Sequence, residues 1–282
     1  MDMLKGSNPG SIVYWDKSVL DSGNVNVNRV FWAFGPAING FTHCRPVISI
    51  DATHLIGKWK GVLMIAVTYD GENEILPLAY ALVESENIES WRWFMMCIRS
   101  GITEREGLCI ISDRHAGIMR VMKEDDWKPP KAYHRICIRH LASNLNQKVK
   151  CIAHRDLLTN IAKENQQIKF RNRFKDFKEL LKDKPDAVRW LEKMNPEKWA
   201  LSYDTGGRRW GSMTTNQSES FNRVLLPCRD LPITALVHFT FKQANSYFIE
   251  RRDKLVGHNK YLVPMIENLN TTNLLKAGQN EV

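Results

Sequence analysis

Apolar residues in the first half of the chain come in short unbroken runs, and two of the runs stop at an acid. Pro46-Val47-Ile48-Ser49-Ile50 ends at Asp51, and Leu108-Cys109-Ile110-Ile111-Ser112 ends at Asp113. Runs of this length, rich in β-branched residues, read as buried strands that deliver a carboxylate to their exit. Further strands are predicted over 61–69 and 75–83. The turn pair Asp70-Gly71 between them makes the two a hairpin. Before these, Val30, Phe31, Phe34 and Ile38 fall close to helical spacing, which predicts a helix over 29–41. Residues 1–28 are polar and rich in Asn, Ser and Gly, a weakly ordered lead-in with one strand over 11–15.

The period changes after residue 90. Trp91, Phe94, Met95 and Ile98 sit at i, i+3, i+4 and i+7, with Ser90 as the expected cap and Gly101 as the stop. A short helix carrying Ile118, Val121 and Met122 is expected next, broken at Trp127-Lys128-Pro129-Pro130. A strand over 133–136 then runs into a helix with Leu141 and Leu145. From 152 to 200 no strand signal appears, and Lys, Arg and Glu interleave with Leu157, Leu158, Ile161, Phe170, Phe174 and Phe177. Thr205-Gly206-Gly207 marks a loop, and a last helix starts near Asn216 and ends before Pro227. The expected organisation is a lead-in (1–28), the first part of a core (29–150), a helical insertion (151–204), and a completing segment with a tail (205–282). The class is α/β, a mixed sheet flanked by helices.

Charge sharpens this picture. The chain of 282 residues carries a net +9. Residues 1–113 hold 9 basic and 13 acidic side chains, residues 114–200 hold 21 and 11, and residues 201–282 hold 10 and 7. The middle third therefore contains the excess, a plausible footprint for a phosphate backbone beside an acidic centre. No apolar run approaches membrane-spanning length, and no secretory leader is visible. The six cysteines lack a framework spacing, which suits a reducing compartment. With no phosphate-binding P-loop, no G-x-G-x-x-G and no Ser-His-Asp order, nucleotide hydrolysis and dinucleotide binding find no support.

The chemistry lies in the acids. Two strands ending at Asp51 and Asp113 place two carboxylates side by side if they pair, and such a pair repels itself unless a cation intervenes. The order of motifs then becomes specific: I-D-A-T-H-L-I-G-K-W-K-G, D-G-E-N-E-I-L-P-L-A-Y-A-L-V-E-S-E, S-W-R-W-F, I-S-D-R-H-A-G-I, Y-H-R-I-C-I-R-H-L-A-S-N and T-T-N-Q-S-E-S-F-N-R. Over roughly 29–240 the chain resembles the Mutator-like (MULE) transposases of plants. That resemblance implies a ribonuclease-H-like fold, with the helical insertion preceding the last catalytic helix, and a metal-binding triad of Asp51, Asp113 and Glu219. It implies Mg²⁺ or Mn²⁺ as cofactor, with metal-dependent cleavage and strand transfer at transposon ends as the activity. The partners would be DNA, both terminal inverted repeats and target, and a second copy of the chain; the compartment would be the nucleus. Members usually carry flanking DNA-binding and zinc-binding modules, so this chain is expected to be a catalytic core. The alternative is a domesticated descendant that binds DNA and regulates transcription without cutting.

Competing readings exist for individual residues. An Asp at a strand exit is a common turn former or cap. Asn216-Gln217-Ser218-Glu219 has the spacing of a capping box, with Glu219 reaching back to the Asn216 backbone. Cys137 and His140 match a C-x-x-H element of the family and are expected to shape the helix near the active site or DNA. Cys151 and His154 repeat that spacing, but the second pair is not a family element and zinc held by all four is not expected. Candidate phosphate contacts are Lys58, Lys60, Arg114, Arg135, Arg139, Arg171, Arg173, Arg208 and Arg209. Phe170, Phe174 and Phe177 are expected to face a core, not to stack on bases.

Overall fold

The computed structural model describes residues 6, 8–19, 25–58, 60–258 and 262–278. Its strands are β1 (Ile12–Val19), β2 (Val25–Ala33), β3 (Val47–His54), β4 (Val62–Tyr69), β5 (Ile75–Val83), β6 (Leu108–Ser112) and β7 (Ala132–Ile136). Helices are α1 (Gly35–Phe41), α2 (Ile88–Gly101), α3 (Ala116–Val121), α4 (Ile138–Val149), α5 (Ile152–Ala162), α6 (Gln167–Leu180), α7 (Pro185–Glu192), α8 (Asn216–Val224), α9 (Ile233–Leu255) and α10 (Pro264–Gly278). The strands form one mixed sheet in the order β1-β2-β5-β4-β3-β6-β7. Among the described residues, no helix is long and apolar enough to cross a membrane.

By its internal contacts the chain divides into two compact units, Met1–Arg45, Thr53–Glu84 and Phe221–Val282 in one, Pro46–Ala52 and Ser85–Ser220 in the other. The first unit is antiparallel: β1 pairs with β2, β2 with β5, and β4 with β5, the last closing the hairpin expected at Asp70-Gly71. Its core gathers Trp32, Phe34, Ile65, Tyr80, Phe221, Leu225 and Leu236. Trp32 stacks on Tyr80 at 5.3 Å between ring centroids. Its indole Nε1 donates to Thr240 Oγ1 on α9 at 3.1 Å, so a polar edge is satisfied inside an apolar layer.

Two expectations fail in this unit. Residues 29–33 are strand, not helix, and the helix begins only at Gly35. Val30, Phe31 and Trp32 are all buried, so the second half of β2 shows no polar alternation, and its apolar run imitates a helical stripe. The lead-in is likewise more ordered than expected where described, with β1 spanning Ile12–Val19 and β2 opening at Val25.

The second unit holds the parallel part of the sheet, with β3 beside β6 and β6 beside β7. Helix α2 begins two residues before Ser90. Asn87 is its cap, accepting from the Ser90 N–H at 2.8 Å and from the Ser90 hydroxyl at 3.0 Å. The segment after β7 is all helical apart from 3-10 turns, and it has its own core. Leu141, Leu145, Leu158, Ile161, Phe170, Phe177, Leu191 and Trp199 pack together, with Phe174 against them, so the three phenylalanines face inward as expected. This excursion closes on itself: the Ile138 N–H donates to the Met213 carbonyl at 3.0 Å.

Candidate metal and nucleic-acid site

Strand register builds the site. In β3 and β6, Val47 pairs with Cys109, Ile48 with Ile110 and Ser49 with Ile111. In β6 and β7 the pairing runs from Leu108 and Ala132 to Ser112 and Ile136. Counted on from these registers, Asp51, Asp113 and Cys137 are corresponding positions at the exits of three neighbouring parallel strands. The Cys137 N–H donates to the Ser112 carbonyl at 2.8 Å, which fixes the end of the row. Side chains two residues apart on a strand share a face. On that face Val47, Cys109, Ile111 and Cys137 form one buried apolar cluster.

Helix α8 supplies the third acid. The Ser218 hydroxyl lies 3.1 Å from that of Ser49, both buried, and anchors the helix on β3. Glu219 is the next residue. Its Oε2 lies 2.9 Å from Arg139 Nη1, its Oε1 lies 3.6 Å from His140 Nε2, and the Thr215 hydroxyl donates to Oε1 at 3.5 Å. The carboxylate thus turns toward α4, away from the Asn216 backbone that a capping box would use. The Asn216 side chain accepts from Arg139 instead, at 2.5 Å. Arg139, His140, Ser143, Asn146, Arg155 and Glu219 line a polar cavity of about 460 Å³.

The charges of this group are coupled. Burial pushes the Asp51 carboxyl up to about 6. The Ala52 N–H and the nearby His140 pull it down, while the charges of Asp113 and Glu219 push it up. Asp51 therefore feels both of the other acids. Asp113 Oδ1 accepts from the His115 N–H at 2.8 Å, the turn-forming role weighed for it, while its carboxylate is half-buried at the end of β6. His140 is pushed up to about 9, first by its hydrogen bond with Cys137, against its burial, and then by the charges of Cys137, Glu219 and Asp51. Burial would raise the Cys137 thiol, yet hydrogen bonds from His140 and Thr215 bring it below the usual thiol range. Among the described residues, the group of three metal-ligating side chains whose ligand atoms lie within 4.8 Å of one another is Cys137, His140 and Glu219. Cys151 and His154 lie outside it, and the His154 ring meets Phe177 edge-on at 6.0 Å.

The cations expected on DNA separate into classes. Arg135 and Arg209 are corrections: their side chains are 3% and 0% exposed, and both engage the buried carboxylate of Asp204. Arg135 Nε donates to Asp204 Oδ1 at 3.0 Å, and the Arg209 N–H to Oδ2 at 2.8 Å. They hold the inside of the second unit together and offer nothing to a ligand at the surface. Arg208 is half-buried, its guanidinium 4.1 Å from the Tyr133 ring centroid. Arg114 lies against the Trp190 ring. Arg171 and Arg173 are exposed on α6, the first donating to Tyr203 at 2.9 Å and the second paired with Glu164 at 2.7 Å. Lys58 and Lys60 are exposed in the loop that joins β3 to β4. Sequence reasoning missed Thr215, which is fully buried and meets Cys137, His140 and Glu219. Its only signal was its place just before the last helix.

A family model of the MULE transposase domain matches residues 47–144. No curated protein matches the chain. The matched stretch carries Asp51, Asp113, Cys137 and His140 and lies within the residues whose motifs resemble the Mutator-like transposases.

Proposed function

We propose that this chain, whose residues 47–144 match the MULE transposase domain, is a DNA transposase core that cuts phosphodiester bonds with divalent metal ions and joins the freed end to target DNA. The observation that carries this reading is that Asp51 and Asp113 hold corresponding positions at the exits of neighbouring parallel strands, with the charge of Glu219 felt at Asp51. A mixed sheet whose parallel strands end in acids also supports a ribonuclease-H-like assignment.

The residues present fit a hard divalent ion. Asp51 is largely buried and pushed up to about 6, first by that burial and then by the charges of Asp113 and Glu219, the condition a divalent cation relieves. Asp51, Asp113 and Glu219 would hold Mg²⁺ or Mn²⁺. When bound, such ions supply an activated water or hydroxyl and stabilise the leaving oxygen. The chain itself does the positioning. Ser49 and Ser218 lock α8 to β3. Arg139 and His140 set the direction of the Glu219 carboxylate. The exposed cations of α6 give the backbone of a long duplex a basic surface. A nuclear location follows from DNA as substrate, and assembly of copies around paired ends is part of the same proposal.

One observation favours the second reading, a descendant that binds DNA without cutting: the Glu219–Arg139 ion pair at 2.9 Å already neutralises the third acid. Incubating the protein with labelled duplex and Mg²⁺ or Mn²⁺ decides between them. Cutting that needs the metal, stops with EDTA and is lost in Asp51→Asn supports the transposase. Binding without cutting favours the regulator, and cutting that survives Asp51→Asn excludes the proposed centre.

A further inference from the structure

We infer that Cys137, His140 and Glu219 form a second metal site, for a single thiophilic divalent ion of the zinc class, and that it shares Glu219 with the hard-metal centre. The sharing, though not the site, rests on the function proposed above.

The donor set is the first argument. One sulfur, one imidazole nitrogen and one carboxylate oxygen lie within 4.8 Å of one another. Sulfur and imidazole select zinc-class ions over Mg²⁺. A tetrahedral zinc with ordinary bond lengths sets its nitrogen and oxygen ligands about 3.4 Å apart. His140 Nε2 and Glu219 Oε1 are 3.6 Å apart, long for a hydrogen bond and close to that span. Three protein ligands leave a fourth position for water, as in open zinc sites.

The surroundings are the second argument, because each ligand already has an orienting partner. Thr215 N–H donates to Cys137 Sγ at 3.2 Å. His140 Nδ1 lies 3.3 Å from the Thr215 hydroxyl, so a proton there leaves Nε2 as the electron-pair donor. Arg139 holds Glu219 Oε2 at 2.9 Å, while Oε1 accepts from the Thr215 hydroxyl at 3.5 Å and lies 3.6 Å from His140 Nε2. One residue, Thr215, thus touches all three ligands from a fully buried position. Cys137 is fully buried, and the His140–Glu219 side opens to the cavity of about 460 Å³, a route of entry.

Sharing has a consequence. A zinc-class ion on Oε1 and Arg139 on Oε2 would engage both Glu219 oxygens, so such an ion and Mg²⁺ compete for Glu219. By linkage each weakens the other's binding by the same factor.

Titration of the metal-free full chain with Co²⁺, then competition with Zn²⁺, tests the site without reference to activity. One Co²⁺ per chain is expected, with a thiolate-to-cobalt charge-transfer band, and Zn²⁺ should displace it. His140→Ala should abolish stoichiometric binding. Cys137→Ser should remove the band, with circular dichroism checking that this buried position still folds. Thr215→Val should weaken binding by about tenfold or more, and Cys151→Ser should change nothing. Cobalt bound without a sulfur band, binding that survives His140→Ala, or no stoichiometric cobalt overturns the site. Mg²⁺ should weaken Co²⁺ binding in the native chain and do so less in Asp51→Asn. A cobalt site indifferent to Mg²⁺ overturns the sharing of Glu219, and the duplex-cutting assay then judges the three-acid centre separately.

Discussion

The Arg114 guanidinium lies 5.0 Å from the Trp190 ring centroid, and the Lys148 ammonium lies 5.5 Å from the same ring. Trp190 belongs to α7 of the helical excursion, whereas Arg114 directly follows Asp113. Burial lowers the Arg114 pKa, so its charge is partly desolvated and its contact with the ring strengthened. A partly desolvated cation–π contact contributes about 1–2 kcal/mol. Trp190→Ala should therefore slow cutting at saturating DNA by about 5- to 30-fold, with Trp190→Phe largely restoring it. An unchanged rate in Trp190→Ala would show that the excursion does not steady the neighbour of Asp113.

Asp51 should be costly to the metal-free fold. Its pKa rises from 3.8 to about 6 on folding, so the folded chain keeps a proton over that window and stability falls as pH rises through it. Asp51→Asn removes the cost. At pH 8, without metal, the variant should melt a few degrees higher, for a gain of at most about 3 kcal/mol; at pH 4 the difference should nearly vanish. Scanning calorimetry at the two pH values is the measurement, and equal melting temperatures at pH 8 would count against a desolvated carboxylate.

His134 acts with the opposite sign. Burial first, then the charges of Lys198, Arg135 and Arg209, push it down from 6.5 to about 3. Its ring nitrogen Nε2 lies 2.9 Å from the Ser112 hydroxyl. The unfolded chain takes up a proton that the folded chain refuses, so the contribution is whole above pH 6.5 and is lost as pH falls toward 3. The loss approaches about 1.4 kcal/mol per pH unit below 6.5. Urea unfolding of the native chain and His134→Gln at several pH values should show a shallower acid slope in the variant. Parallel slopes would refute the buried neutral imidazole.

The inner and outer cations should part company in DNA binding. The Asp204 carboxylate is buried between Arg135 and Arg209, and removing it deprives two buried guanidiniums of a shared counter-charge. Asp204→Ala should cost about 3–5 kcal/mol of stability, measured in urea, and Arg135→Ala should likewise fail in folding before it fails in binding. Lys169 and Lys175 are exposed on α6. Their double alanine variant should leave stability nearly unchanged and flatten the salt dependence of duplex binding by about one unit per lost phosphate contact. A slope identical to that of the native chain would remove α6 from the DNA surface.

Much of the parallel half was legible because its strands are buried on both faces. Unbroken apolar runs ending at Asp51 and Asp113 stand out from any helical pattern, and the equal step from each run to its acid anticipates a common register. The same lack of alternation misled at β2, where Val30, Phe31 and Trp32 fit both periods. Helix α9 went unread because its buried stripe includes Thr240 and Ala244, too polar and too small to mark a face. The burial of Arg135 and Arg209 was invisible for a different reason. Their partner Asp204 lies far from Arg135 in sequence, and only the closed excursion brings the charges together. Nor does local spacing show that Glu219 faces Arg139 and His140, since that depends on Ser218 meeting Ser49.

Where the helical excursion leaves β7 and where it comes back are the same place: Ile138 is bonded to the carbonyl of Met213, and the Thr215 N–H reaches Cys137. A loop tied at its neck keeps Arg139, His140 and Thr215 at Glu219 however its far turns are varied. A short linker across that neck would instead remove Arg139 and His140 together with Asp204, and so take away both what orients Glu219 and what neutralises Arg135.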